Sequence, residues 1–268
     1  MNVVSISPKS KIPVYITARL GSTRLPGKHL LPIFGKPIIE HMIMRVKQAN
    51  LPVFFVLCTT IQPEDDPFVE IAHRCNIEIF RGHPTDILKR WLDAADHFHV
   101  QYFISAEADD VFCDPEYIDL IIEEFRKTSF DYITCRGLPF GVTPTGINVE
   151  ALRKICDLKE ENDTEGQERF FTKTGLFKVH YIDINDPNKS NTEVRMTLDY
   201  PEDYDFFKEV FKYLYKGNDN FSLSEILDLL TEHPEIIEIN KKKQLEYTQR
   251  YNRKYGKVQL KGEPLKEY

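Results

Sequence analysis

The chain predicts an α/β fold: a mainly parallel sheet flanked by helices, followed by a helical C-terminal extension. Three observations carry this. Apolar runs of strand length alternate with helical stripes from the start, a glycine-punctuated turn follows the first strand-like run, and from Pro201 onward the segments that show a pattern read as helices. At 268 residues and 41% hydrophobic content, the chain can bury a large core.

The elements justify themselves in order. Val14 to Ala18 is the first strand, and Ile38, Ile39, Met42, Ile43 and Val46 make a helical face after Pro37. Strands follow at Val53 to Cys58 and Glu78 to Phe80. A helix capped by Thr85 then carries Ile87, Leu88, Trp91, Ala94, Ala95 and Phe98, so core packing is the expectation for the pair Met42 and Met44 and for Trp91 alike. Tyr102 to Ala106 is a strand, Pro115 opens a helix with Ile118, Ile121, Ile122 and Phe125, and Tyr132 to Cys135 is a further strand. Three glycines and two prolines in GLPFGVTPTG (137–146) predict loop. Beyond it come a helix near Val149 to Leu158, strands near Leu176 to Ile184 and Glu193 to Leu198, and helices at Pro201 to Tyr215 and Leu223 to Leu230. A last helix after Pro234 runs into the tail. The division expected is 1–217 for the main domain, with 136–190 as an acceptor and dimerisation region, and 218–268 for the extension.

Composition narrows the classes. The net charge of −7 disfavours a general nucleic-acid binder, although residues 241–268 hold nine Lys or Arg against three Glu, which reads as a solvated basic helix and tail. No apolar run approaches the roughly 18 residues a membrane helix needs, and Met1 to Lys11 lacks the pattern of a signal peptide, so a cytoplasmic protein is expected. Five cysteines without a CxxC pair signal neither a disulfide framework nor a zinc knuckle.

The chemistry starts in ARLGSTRLPGK (18–28). Gly21 and Gly27 permit φ > 0 and close approach of amides to phosphate, while Arg19, Arg24 and Lys28 offset its charge. The segment is no P-loop, because five residues separate the glycines and His29 stands where Ser or Thr would bind magnesium.

Together with HLLPIFGKPIIEH (29–41), FRGHPTDILKRW (80–91), ADDVFCDPEYID (108–119) and LDYPEDYDFF (198–207), this segment resembles the cytidylyltransferases of sugar-acid activation. The likeness is greatest to the spore-coat polysaccharide group and more distant to 3-deoxy-manno-octulosonate cytidylyltransferase. The resemblance implies a Rossmann-like nucleotidyltransferase fold of glycosyltransferase-A type, a homodimer, CTP and magnesium. It implies that Arg19, Arg24 and Lys28 grip the β and γ phosphates, and that Ala18, Leu20, Gly21, Ser22, Gly27, Thr59, Thr60, Arg81 and Asp86 border the nucleotide. Asp109 and Asp199, each just past a predicted strand, are the implied magnesium ligands, a chemistry that carboxylates and phosphate oxygens suit. Asp114 and Asp203 read as helix-start residues. Glu107, Arg136, Gln167, Glu168 and Arg169 are the expected acceptor contacts. Where the spore-coat group carries Arg-x-Thr-Gly-Asp, this chain reads Ser105-Ala106-Glu107-Ala108-Asp109, which sets Glu107 beside the metal position, free to pair with a cation. Two rival readings are a sugar-1-phosphate nucleotidyltransferase using another nucleotide and an assembly subunit that binds nucleotide without turnover.

Overall fold

The computed structural model describes residues 11–51 and 53–262, and the backbone of 266–267. Met1 to Ser10 and the end of the basic tail lie outside the described residues. Seven strands form the main sheet: β1 (Ile12–Thr17), β2 (Val53–Thr60), β3 (Glu78–Gly82), β4 (Tyr102–Glu107), β5 (Tyr132–Arg136), β6 (Thr145–Asn148) and β7 (Val179–Asp183). Their order across the sheet is β3-β2-β1-β4-β6-β5-β7. All six residues of β1 are buried, as a strand covered on both faces requires. It pairs in parallel with β2 on one side (Val14 with Phe55) and β4 on the other (Val14 with Ile104). The chain thus reverses its order of travel at β1. Ligands gather at such a switch point, beyond the carboxyl ends of the strands, and here the segments after β1 and β4 open side by side.

Helices cover both faces. On one lie α1 (Ile38–Val46), α2 (Pro67–Arg74) and α4 (Pro115–Lys127); on the other lie α3 (Ile87–His97), α5 (Val149–Leu158) and the short α6 (Glu168–Thr172). Ile118, Ile121, Ile122 and Phe125 of α4 are fully buried, each worth about 1.5–3 kcal/mol over exposure. Asp114 caps α4 by accepting from the Glu116 amide at 3.0 Å, as its place before Pro115 predicts. At α3 the cap is Asp86, accepting from Lys89 N at 3.1 Å, and not Thr85, whose hydroxyl donates instead to the Asn162 carbonyl at 2.8 Å.

Three further expectations are corrected. Residues 145–146, the end of the stretch read as loop, belong with 147–148 to β6, the strand antiparallel to both neighbours; Gly146 lacks the Cβ that would collide with Ile121 and Phe125 of α4. Residues 193–198 join no named strand: Glu193 lies in a turn and Arg195 makes an isolated parallel bridge to Phe140. Val194, Met196 and Leu198 are buried as their alternation implies, yet Arg195 and Thr197 are buried too. Their hydrogen bonds run to the loop around Phe140 (Met196 N to Phe140 O, 2.7 Å) and to the Asp109 carbonyl (from Leu198 N, 2.8 Å). The last helix is broken: α7 (Pro201–Leu214) and α8 (Leu223–Glu232) are followed by α9 (Pro234–Glu238) and then α10 (Lys243–Tyr255). Phe221, Leu223, Ile226, Leu230 and Ile236 share one buried cluster with α1 and α4, so no break in the core falls at residue 217. Four cysteines are buried and Cys156 is half-buried, all as free thiols.

Candidate active site

A cavity of about 560 Å³ lies over the carboxyl ends of β1 and β4. Its first wall is the loop after β1. Gly27 turns with φ 65°, a conformation in which a side chain would be strained, and delivers Lys28 into the interior at 5% exposure. Gly21 needs no such freedom; its φ is not positive, and a Cβ there would meet open space. The loop is held from below by Asp65, which accepts from the Leu20 amide at 2.7 Å and from the Thr60 hydroxyl. Arg81 fixes the segment carrying Asp65, donating to the Thr60 and Gln62 carbonyls at 2.9 Å each and pairing with Asp66 at 2.7 Å.

The cavity floor is a chain of ions. Lys28 Nζ donates to Asp109 Oδ2 at 2.6 Å, to the Leu198 carbonyl at 2.8 Å and to Asp199 Oδ1 at 3.3 Å. Arg24 donates to the same Asp199 oxygen. Asp199 Oδ2 accepts from Arg195 at 2.9 Å, and Arg195 also donates to both oxygens of Asp203, at 2.9 and 3.1 Å. Asp203 in turn receives the Asp199 and Tyr200 amides, so it both opens α7 and locks Asp199 in place. Burial would raise the Asp199 carboxyl, but Lys28, Arg24 and Arg195 outweigh it and hold the group down at about 2. Beside it, burial pushes Asp110 up to about 7 and Glu107 up to about 8, while burial and the adjacent Lys28 depress His29 to about 3. Among the described residues Glu107 pairs with no cation; its Oε1 accepts from Ser105 Oγ and Gln167 Nε2, each at 2.9 Å.

The opposite wall comes from residues 165–168 and α10. Glu165 binds Arg19 of the loop, Lys254 at 3.0 Å and the Tyr255 hydroxyl, while Tyr251 donates to Glu168. Tyr247 stands 5.0 Å from the Arg195 guanidinium. Trp91 belongs to the core, as its stripe predicts, yet its indole N–H donates to Thr17 Oγ1 at 2.9 Å and its edge reaches the cavity.

Of the site residues read from sequence, Ala18, Arg19, Gly21, Ser22, Arg24, Lys28, Glu107, Asp109, Asp199, Gln167 and Glu168 line this cavity. The others stand elsewhere. Leu20 and Gly27 shape the loop, Thr59 and Thr60 are buried in β2, and Asp86 is a buried cap bound to Lys159 and Thr164. Arg136 is exposed on β5 and paired with Asp183. Arg169 is buried, donating to the Gly166 and Lys257 carbonyls at 3.0 and 3.1 Å. Sequence reading missed Asp65, Arg195 and the inner face of α10, and included Glu165 only within the polar stretch Thr164 to Arg169 expected near the acceptor. Arg195 carried a faint signal in its spacing of four and eight residues from Asp199 and Asp203.

The sequence model of the cytidylyltransferases matches residues 14–255. The chain is 28% identical over 232 residues to an uncharacterized protein of Methanocaldococcus jannaschii, covering 86% of this chain and 94% of that one. It is 26% identical over 231 residues to the spore coat polysaccharide biosynthesis protein SpsF of Bacillus subtilis, covering 82% and 94%. Among solved structures, a cytidylyltransferase from Leptospira borgpetersenii superposes with a TM-score of 0.75 at 25% identity, over 85% of this chain and 96% of that one. The CMP:2-keto-3-deoxy-manno-octonic acid synthetase bound to CTP shares the fold, with a TM-score of 0.58 at 15% identity over 76% and 99%. An ion-lined cavity at the switch point of a mainly parallel sheet and a family match across nearly the whole chain agree: this protein belongs to the cytidylyltransferases and is a nucleotidyltransferase.

Proposed function

We propose that the protein transfers CMP from CTP to a sugar or sugar-like acid, releasing pyrophosphate, with magnesium as its metal, in the synthesis of a surface glycan. The observation that carries this is the convergence of Asp109 and Asp199 on the single ammonium of Lys28. That ammonium stands in for a cation between two hard oxygen donors, and magnesium takes one or two carboxylates together with phosphate oxygens and waters. Asp109, whose side chain is 32% exposed, would hold the metal, with Asp199 as second donor through Oδ1 while Arg195 keeps its other oxygen. Bound there, magnesium would neutralise charge on the triphosphate.

The chain's own residues do the rest. Arg24 and Lys28, transferred from carboxylate to phosphate, stabilise pyrophosphate as its charge grows, with Arg19 at the cavity edge. Asp203 and Arg195 keep Asp199 ionised and oriented, which is the preorganisation that in-line attack on the α-phosphate requires. Gln167 and Glu168, on the far wall, face the acceptor. Residues 136–190 and the homodimer belong to the same reading. The test is pyrophosphate release with each of four nucleoside triphosphates and a panel of sugar acids. CTP should be the best donor by at least tenfold; a preference for another nucleotide sinks the assignment.

A further inference from the structure

We infer that α10 is the acceptor-recognition wall, and that Arg250 holds the acceptor's acidic group. This rests on the transferase reading above and adds to it a residue and an element. Arg250 lines the cavity, half-buried. Among the described residues it is the one cavity-lining cation given no partner. Arg19 is bound to Glu165, Arg24 to Asp199, Lys28 to both aspartates, Arg90 to backbone carbonyls, and Lys254 to Asp163 and Glu165. A guanidinium that faces a cavity without a carboxylate is a ready fork for an incoming carboxylate, which it can bind through two parallel hydrogen bonds.

The surroundings select the ligand. Tyr247, Tyr251 and Tyr255 follow one another at intervals of four on the cavity face of α10, with ring centroids 6.0 and 5.2 Å apart. Phenols give an apolar surface with a polar tip, suited to the mixed faces of a sugar. Facing them are Glu165, Gln167 and Glu168, which accept and donate to hydroxyls. Arg250 and Lys254 balance Glu165 and Glu168, so this wall is neutral overall. A triphosphate would meet two carboxylates here, and its own cations already stand on the loop at 18–28. A polyhydroxylated monoanion meets one unpaired guanidinium and a row of hydroxyl partners.

Trp91 is the only tryptophan of the chain and reaches the cavity, so its emission reports binding. The full chain is titrated separately with CTP, with 3-deoxy-manno-octulosonate, with a second 2-keto sugar acid, and with the neutral amide of each acid. The wild type should bind at least one acid more tightly than its amide. Arg250→Gln should weaken that acid about 10- to 100-fold while changing the amide and CTP by less than about twofold, and in turnover it should raise KM for the acid with kcat nearly unchanged. Arg250→Lys should recover only part of the loss, because it cannot form the paired bonds. Equal binding of acid and amide by the wild type overturns the assignment, as does an Arg250→Gln variant with undiminished acid affinity. If that variant weakens CTP as much as the acid, Arg250 serves the triphosphate and the assignment falls. A wild type that does not respond to CTP at all strikes the transferase reading first and takes this inference with it.

Discussion

Two ionic networks line the same cavity and differ in nearly every physical respect. The one through Lys28, Asp109, Asp199, Arg195 and Asp203 is sunk into the core except at Asp109, which is 32% exposed; Arg195 and Asp203 are 1% and 0% exposed. The one through Arg19, Glu165 and Lys254 sits at the rim, with its cations 33% and 39% exposed. Charges buried that deeply are tolerable only when each has a partner, and each has at least one; charges at the rim are partly served by water and exchange partners at little cost. The proposed donor end is therefore built as a fixed device and the proposed acceptor end as an adjustable one.

The largest expected effect comes from emptying the fixed network of its exposed oxygen. Asp109→Asn should lower kcat/KM for CTP by on the order of 10³-fold with the fold retained, measured as pyrophosphate release over a magnesium titration; near-normal turnover would remove Asp109 from the ligands. Next is the direct contrast of the two networks. Arg195→Met strands Asp203 and half of Asp199 in the core and should cost about 3–5 kcal/mol in urea unfolding, whereas Glu165→Gln at the rim should cost about 1 kcal/mol or less. Equal costs would erase the distinction.

The smallest effect is a pH dependence. Burial lifts the Glu107 carboxyl from 4.5 to about 8, so between those values the folded chain retains a proton that the unfolded chain releases. The stability associated with that proton is fully present below about pH 4.5 and is lost as pH rises through 8. Glu107→Gln cannot ionise. Its melting temperature, without nucleotide or metal, should match the wild type near pH 5 and exceed it progressively up to pH 8.5. A difference independent of pH would show that Glu107 sits in ordinary solvent.

The same contrast explains what was legible in the sequence. The loop at 18–28 is contiguous, so its glycines and cations could be read together, and Asp109 follows β4 directly. The parallel strands were found because each is a short apolar run with its partner strand elsewhere supplying only a uniform apolar environment. Residues 193–198 show where that logic breaks: alternation reports which side chains are buried but not whether a ladder partner exists, and here the backbone bonds go to a loop and to Asp109. Thr60 and Arg81 are near the site but hold the loop through Asp65, and Thr59 is buried in β2, so none of the three lines the cavity. The rim network was hidden for a different reason. Glu165 meets Tyr255 across 90 positions and Glu168 meets Tyr251 across 83, and no local pattern announces such a meeting.

The helix α10 has no fully buried residue. Its stability therefore comes from a handful of side-chain contacts and not from the core, which puts it among the segments that open locally at far lower free energy than the sheet. Catalysis and folding then have separate thresholds. In rising denaturant or temperature α10, the proposed acceptor wall, should detach while strands and buried helices remain native, so activity should vanish ahead of the loss of ellipticity, and amides of α10 should exchange with solvent long before those of β1.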